Sequence, residues 1–383
     1  MGQDDRRGAS PSRREALGLI GAGAVAAPLA ARATEPQFPP GAVIRTLLKD
    51  YAPSELAGGA TLFHEHMSLR DGFMVDWIRH AGETRAANAP PGAPARPPGA
   101  GAGAGGAARA APAANFLTDE ALMADEMAIA KREGIGCIVD AGHPDMGRDV
   151  AFLRRISQKS GLPIVASAGF YTQPFYPPDI GAWSEDKVVD EIMKQVRANP
   201  TGALGEIGSW DYISKDERKV FRAVGKAHRL TNLPIFTHTG IPGKSALEQL
   251  DILEDAGVDP KRVVIGHLGN LVDANTEVQR AIIRRGAFIG IDRQGGAQDA
   301  QVVPMVVSLI AQGYADHLMF SSDLSSPREI KRNNPATGGY AKTLTVFVPK
   351  LKAAGAPEEA LHRIMYDNPR RFLAFVPKIK RTA

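Results

Sequence analysis

Thr61-Leu62-Phe63-His64-Glu65-His66-Met67 is an apolar run that ends in two histidines one residue apart. The Thr-Leu-Phe lead-in favours a β-strand. Side chains on a strand alternate faces, so His64 and His66 project together while Glu65 turns the other way, toward surrounding helices. Two neutral imidazoles side by side suit a borderline divalent ion such as zinc. Alone the pair carries little weight, because core or surface histidines produce the same spacing by chance. Its meaning depends on what the rest of the chain brings to it.

Seven further apolar runs follow the first, most of them trailed by a polar turn and a segment of helical period. With the first, they are Ala60 to His64, Gly136 to Asp140, Pro163 to Ala168, Ala203 to Glu206, Pro234 to His238, Val263 to His267, Ala287 to Ile291 and His317 to Ser321. Strands alternating with helices imply parallel βαβ units. Eight such units predict an α/β fold of the closed (β/α)8 TIM-barrel type. An open doubly wound sheet is the alternative, but the glycine-rich phosphate fingerprint expected after its first strand is missing.

In such a barrel the C-terminal strand ends meet at one mouth. Strand four ends in Glu206, strand five runs Phe236-Thr237-His238, strand six Ile265-Gly266-His267, and strand eight leads into Ser321-Ser322-Asp323. Four histidines and two carboxylates therefore converge on one place. Any one of them could be a satisfied polar residue, but core packing does not explain the same strand-end position on five strands. A metal site at the mouth does.

Composition bounds the chemistry. A chain of 383 residues, 44% apolar and 23% charged, has room for one large soluble domain, here expected over residues 40–377. The single cysteine, Cys137, excludes a disulfide framework and a cysteine-rich zinc site, so a metal must be held by histidine and carboxylate. Residues 1–33 read as a twin-arginine-type export signal: Arg13-Arg14 precede a run of small residues, and Ala31-Arg32-Ala33 fits a cleavage site. The run is short for a membrane span, so no stable anchor is expected, and the location implied is periplasmic or secreted. Removing these residues takes away five basic and three acidic side chains and lowers the net charge from +4 to +2. No basic stripe remains to suggest nucleic acid. Residues 86–114 are almost entirely Ala, Gly and Pro and read as a disordered insertion after strand one, either an inert expansion or a lid.

With these residues in place, the chain resembles the phosphotriesterase family of the amidohydrolase superfamily. The likeness extends to Val43-Ile44-Arg45-Thr46, Met146-Gly147-Arg148-Asp149, Gly169-Phe170-Tyr171 and Asp367-Asn368-Pro369-Arg370. The resemblance implies two divalent ions, with His64, His66 and Asp323 on the more buried one, His238 and His267 on the more exposed one, and Glu206 with a solvent hydroxide between them. The best-known members carry a carboxylated lysine where this chain has Glu206, which loosens any transfer of their substrates. Two ions contribute about +4 and Glu206, Asp323 and hydroxide about −3, leaving about +1 to polarise a substrate oxygen. The expected chemistry is hydrolysis of an ester or lactone by the bridging hydroxide, with Asp323 as proton shuttle and phosphotriester cleavage as a minor activity. Amide (N-acyl) hydrolysis and a noncatalytic periplasmic metal-binding barrel are the alternatives.

The resemblance also places Tyr171 and Arg293, within Asp292-Arg293-Gln294-Gly295, in a substrate pocket; aromatic packing and a surface ion pair are their bland alternatives. His143, after strand two, is expected to face the metals as a substrate contact or support. Phe170, Phe175 and Tyr176 add apolar surface, which suits a small ester or lactone better than a highly charged molecule. His80, His228, His317 and His362 are read as structural. By resemblance, a homodimer is the expected assembly.

Overall fold

The computed structural model describes residues 35–87, 116–240, 243, 245–271 and 275–381. The expected export signal and residues 88–114 of the expected insertion lie outside the described residues. Residues 86 and 87 do not belong to a disordered insertion, because the first helix runs through them.

Eight parallel strands form the barrel: β1 (Ala60–Glu65), β2 (Ile135–Asp140), β3 (Ile164–Ala168), β4 (Ala203–Ser209), β5 (Ile235–Thr239), β6 (Val263–Ile265), β7 (Phe288–Asp292) and β8 (Leu318–Ser321). They pair in sequence order from β1 to β8. Between them run α1 (Phe73–Ala87), with α2 (Glu120–Arg132) after it, then α3 (Val150–Ser160), α4 (Glu185–Ala198), α5 (Lys215–Thr231), α6 (Ala246–Asp255), α7 (Glu277–Arg284) and α8 (Asp299–Ala311). All eight expected strands are present. Two ends differ by more than one residue: β4 continues past Glu206 to Ser209, and β6 stops at Ile265, so His267 stands in the following turn.

Alternation along each strand builds two cores. Phe63, Cys137, Val139, Val165, Ala203, Phe236, Val264, Phe288 and Met319, drawn from all eight strands, pack together inside the barrel. Their neighbours Leu62, Ile138, Ile164, Leu204, Ile235, Ile265, Ile289 and Phe320 face outward and join the helices in a second cluster. Interior space is tight. A Cβ on Gly290 would lie 2.5 Å from Phe63 Cζ, so β7 needs a residue without a side chain opposite that ring.

Helix boundaries follow their caps. Ser214 accepts from Glu217 N–H while Glu217 accepts from Ser214 N–H, a reciprocal capping box, and α5 ends at Asn232 in the left-handed region. Asp149 caps α3, which gives Met146-Gly147-Arg148-Asp149 a structural purpose. In the closing Asp367-Asn368-Pro369-Arg370 segment, Asn368 donates to Ala315 O and Leu318 O and fastens the C-terminal helix to the start of β8. Among the described residues no helix is long and apolar enough to cross a membrane.

The seam between β8 and β1 is made largely by side chains. Ser321 Oγ accepts from His64 N–H at 3.0 Å and lies 2.7 Å from His64 O and 2.9 Å from Glu65 Oε1, with one proton to give to either. Asp323 N–H adds a backbone bond to His64 O at 3.3 Å. Glu65 does turn out of the barrel interior, but its partner is the loop after β8 and not the surrounding helices. Its carboxylate accepts from Ser322 N–H at 2.6 Å, from Ser322 Oγ at 2.8 Å and from Leu324 N–H at 3.0 Å.

Candidate metal centre

The interior-facing positions at the C-terminal ends of five strands supply one compact group. His64 is on β1 and His66 one residue beyond it; Glu206 is within β4 and His238 within β5; His267 and Asp323 stand in the turns after β6 and β8. Glu206 is the hub. Its Oε1 lies 2.6 Å from His238 Nδ1, 3.1 Å from His267 Nε2 and 3.3 Å from His64 Nε2, and its Oε2 lies 3.5 Å from His66 Nε2. Asp323 Oδ1 is 3.2 Å from His66 Nε2 and 3.7 Å from His64 Nε2.

Local backbone conformation serves this convergence. A Cβ on Gly205 would fall 2.4 Å from the Phe236 ring, so only glycine lets β4 run close enough to β5 for Glu206 to reach His238. His267, Arg293 and Asp323 all take positive φ, at 62°, 109° and 49°. Non-glycine residues rarely adopt such angles, and their clustering here is the pattern found where a site overrides local preference.

Asp292 orients two of the histidines. Its Oδ2 accepts from His64 Nδ1 at 3.1 Å, and its Oδ1 from His267 Nδ1 at 2.7 Å and His267 N–H at 2.9 Å. These bonds turn the Nε2 atoms of both rings toward Glu206. Sequence reading noted Asp292 only as part of a turn. The alternation rule could have found it, since Phe288, Gly290 and Asp292 share the interior face of β7.

Charge is strongly coupled. Burial opposes a proton on His64, but Glu206, Asp292 and Asp323 outweigh it and hold its pKa well above 6.5. His66 is raised against burial chiefly by Asp323. Burial, with the neighbouring His267, brings His238 down to about 4. Burial would raise Glu206 and Asp323, yet His64 and His238 hold the first well below the ordinary carboxylate range, and Arg293 with His66 holds the second there. Three carboxylates thus hold protons on neighbouring imidazoles, places that a bound cation would take over.

The residues fit a metal. Among the described residues, buried His64 Nε2 and Glu206 Oε2 have no hydrogen-bond partner, although both point into the cluster. Three overlapping groups have ligand atoms close enough to hold an ion: His64, His66 and Glu206; Glu206, His238 and His267; His64, His267 and Asp323. Together they contain all six expected ligands. The donors are imidazole and carboxylate, the set that borderline divalent ions prefer.

Around this group the mouth is aromatic. Tyr171 Oη lies 3.0 Å from His238 Nδ1 and accepts from Trp77 Nε1 at 2.8 Å. Trp210 packs at 6.0 Å from both Trp77 and His238. Arg293 donates from Nε to Asp323 Oδ2 at 2.7 Å, and its guanidinium lies over the Trp77 ring at 5.5 Å. Tyr171 and Arg293 therefore both reach the mouth, and Arg293's ion pair belongs to the site and not to the surface. His143 is not brought into the ligand group: its buried ring sits beside Asp145, at 3.6 Å, and Gly169. Trp77 was not foreseen, since nothing in α1 marks one tryptophan as the residue that reaches inward.

His228 donates from Nδ1 to Leu233 O, His317 from Nδ1 to Ala287 O, and His362 stacks on Tyr366, as structural histidines do.

The comparisons with known proteins agree with this geometry. The model of the Phosphotriesterase family matches residues 44–373. Aryldialkylphosphatase of Saccharolobus solfataricus is 30% identical over 266 residues, covering 65% of this chain and 84% of that protein. N-acetyltaurine hydrolase of Dictyostelium discoideum is 27% identical over 271 residues, covering 66% of this chain and 72% of the relative. The crystal structure of the phosphotriesterase homology protein from Escherichia coli, complexed with phosphate in its active site, aligns with a TM-score of 0.68 at 25% identity, over 83% of this chain and 99% of that one. With the family match running from Ile44, ahead of β1, to Leu373 near the C-terminus, the chain belongs to the phosphotriesterase family.

Proposed function

We propose that this protein is a hydrolase that uses two divalent ions, zinc in the first instance, to cleave an ester or lactone bond. The observation that carries the reading is the Glu206 carboxylate, which lies within 3.5 Å of all four strand-end imidazoles and can serve two ions at once. His64, His66 and Asp323 would hold one ion and His238 and His267 the other. Ions so held act as Lewis acids and lower the pKa of water to about 7.

The chain's own groups supply the rest. Tyr171 Oη accepts from Trp77 and lies 3.0 Å from His238 Nδ1; with that nitrogen turned to Glu206 or to an ion, the hydroxyl proton would meet a substrate carbonyl oxygen. Asp323 takes the proton of the attacking water and delivers it to the leaving oxygen. Arg293 keeps that carboxylate acidic, so the proton is passed on and not retained. The aromatic walls exclude water and accept an apolar substituent. Because Arg293 is committed to Asp323, an uncharged substrate suits the mouth better than an anionic one.

Hydrolysis of an N-acyl amide is the second reading, supported by the relative named N-acetyltaurine hydrolase. Metal analysis of the purified protein, with lactones, aryl esters, phosphotriesters and N-acyl amino acids as substrates, separates the readings. Turnover of esters or lactones above the others is expected; bound metal with no turnover of any class would overturn the proposal.

Two substitutions test the assigned roles. Asp323→Asn should retain metal while lowering kcat by about 10²–10⁴-fold, the usual worth of a positioned proton-transfer group. Full turnover with metal in place would remove Asp323 from that step. Asp292→Asn keeps the shape of the side chain but gives up the charge that orients His64 and His267. It should weaken metal affinity by about 10–100-fold in competition with a chromophoric chelator. Unchanged affinity would mean the two rings hold their orientation without it.

A further inference from the structure

The six candidate ligands are shut away from solvent. His64, His238 and His267 have no exposed surface, and Glu206 keeps 1%, His66 5% and the Asp323 side chain 9%. A substrate reaches them only if part of the cover moves. That cover is made by Tyr171, Trp210, Arg293 and Trp77, and the first three are anchored through their own backbone. Tyr171 N–H donates to Asp145 Oδ2 at 2.8 Å, the Trp210 carbonyl accepts from Ser245 Oγ at 2.9 Å, and the Arg293 carbonyl accepts from Gln298. Trp77 is held differently. Its ring reaches the mouth from α1, where its N–H donates to Tyr171 Oη and its faces meet Trp210 and the Arg293 guanidinium.

The helix that carries Trp77 stands apart from the ring around the barrel. The connection from β1 to β2 contains two helices, and α2 is the one packed against α3 and β2, which leaves α1 as an extra element over the mouth. Phe73, Trp77 and Ala81, spaced by four, form its buried stripe. Phe73 rests on Phe175 at 4.8 Å and Tyr171 at 5.9 Å, and His80 meets the edge of Phe175 at 5.5 Å. Ring contacts of this kind are largely non-directional, so they tolerate sliding better than a hydrogen-bonded ladder does. The ion pairs of Asp76 with Arg70 and Arg79 lie within the segment itself and travel with it. Val75 and Ile78, on the opposite side of the helix, are exposed.

We propose that α1 is a lid over the metal centre and that the Trp77 indole is its latch. Substrate enters when the indole leaves Tyr171 and Arg293, and its return shuts out water. The latch bond also sets Tyr171: only in the closed state does the Trp77 N–H occupy one side of the Tyr171 oxygen and aim the hydroxyl proton elsewhere. Closure and orientation of that hydroxyl are then a single event, as in enzymes whose lids complete the site on closing. The proposal rests on the hydrolase reading only for what passes the lid.

The test measures access and not turnover. Diethyl pyrocarbonate, which acylates neutral imidazole, is applied to metal-free wild type, Trp77→Phe and Trp77→Ala, and the labelled histidines are mapped by mass spectrometry. Trp77→Phe keeps a ring and gives up the latch. His238 and His267 should then be labelled about two- to tenfold faster, the worth of one hydrogen bond, and faster still in Trp77→Ala. His317, at the N-terminal end of β8, should be labelled at the wild-type rate in both variants, which shows that they are folded. Zinc uptake by the metal-free protein and zinc loss to excess chelator should both quicken by a common factor at unchanged affinity, because a lid changes rates and not the equilibrium. Labelling of His238 and His267 at the wild-type rate in Trp77→Ala, or faster zinc loss matched by an equal fall in affinity, would overturn the lid. Labelling that follows the latch in a protein that takes up no zinc would overturn the hydrolase reading and leave the lid standing.

Discussion

Glu206→Gln is expected to strip the centre of metal and to lower turnover by about 10³-fold or more, equivalent to about 4 kcal/mol of transition-state stabilisation. The amide has the size of the carboxylate, so the shape of the site is kept. It carries no charge, however, and turns an N–H donor toward imidazole nitrogens whose lone pairs are needed for ligation. Because Glu206 is within reach of all four histidines, no other side chain can compensate. The measurement is metal content per chain together with kcat, and a thermal melt to show that the variant is folded. A variant that binds two ions and turns over near the wild-type rate would remove Glu206 from the centre.

The same residue sets the pH behaviour of metal-free protein. Glu206 is held well below its ordinary value of 4.5, so its contribution to stability is full above that pH and fades as pH falls through the folded-state value. His64 is held well above 6.5, so its contribution is full below that pH and fades as pH rises through its folded-state value. Metal-free wild type should therefore melt highest between these two ordinary values, and Glu206→Gln should flatten the maximum.

The barrel and the six candidate ligands could be read from sequence for the same physical reason. Parallel strands end at one mouth, so apolar runs closed by His, Glu or Asp report the strands and the place where their last residues meet; the inward turn of His64 and Glu206 comes from register shifts in β1 and β4 that alternation does not foretell. What escaped the reading depends on contacts between segments far apart in the chain. Asp292 matters because His64 and His267 arrive on either side of it. Trp77 matters because one turn of α1 leans over Tyr171, a tertiary placement that helical periodicity does not encode. His143 follows β2 much as the ligands follow their strands, yet the fold places it beside Asp145 and Gly169 and outside the group of six; a place after a strand end does not by itself make a ligand.

Glu65 is the strongest example of a contact that sequence could not supply, and its removal is expected to cost both stability and rate. Glu65→Ala takes the acceptor away from the buried N–H groups of Ser322 and Leu324 and from the Ser322 hydroxyl. Burial pushes the pKa of this carboxyl above 4.5 despite those donors, which shows how little solvent reaches it. Leaving buried donors without their acceptor costs about 1–3 kcal/mol each, to be read as a lowered melting temperature. The kinetic consequence comes through Asp323, which sits between the two clamped residues and holds a φ of 49° that it would not choose alone. Once the loop relaxes, Asp323 drifts from His66 and Arg293, and a misplacement of about 1 Å is worth about 10²-fold in rate. The loss should fall on kcat with KM little changed, because the substrate walls Tyr171 and Trp77 are not attached to this loop. Glu65→Gln, which keeps the volume but sets an amide N–H against the Leu324 N–H, should lie between wild type and alanine in both measures. A lowered melting temperature with unaltered kcat would make Glu65 a clamp of the barrel seam alone; no change in either would show that the loop after β8 is held by its other contacts.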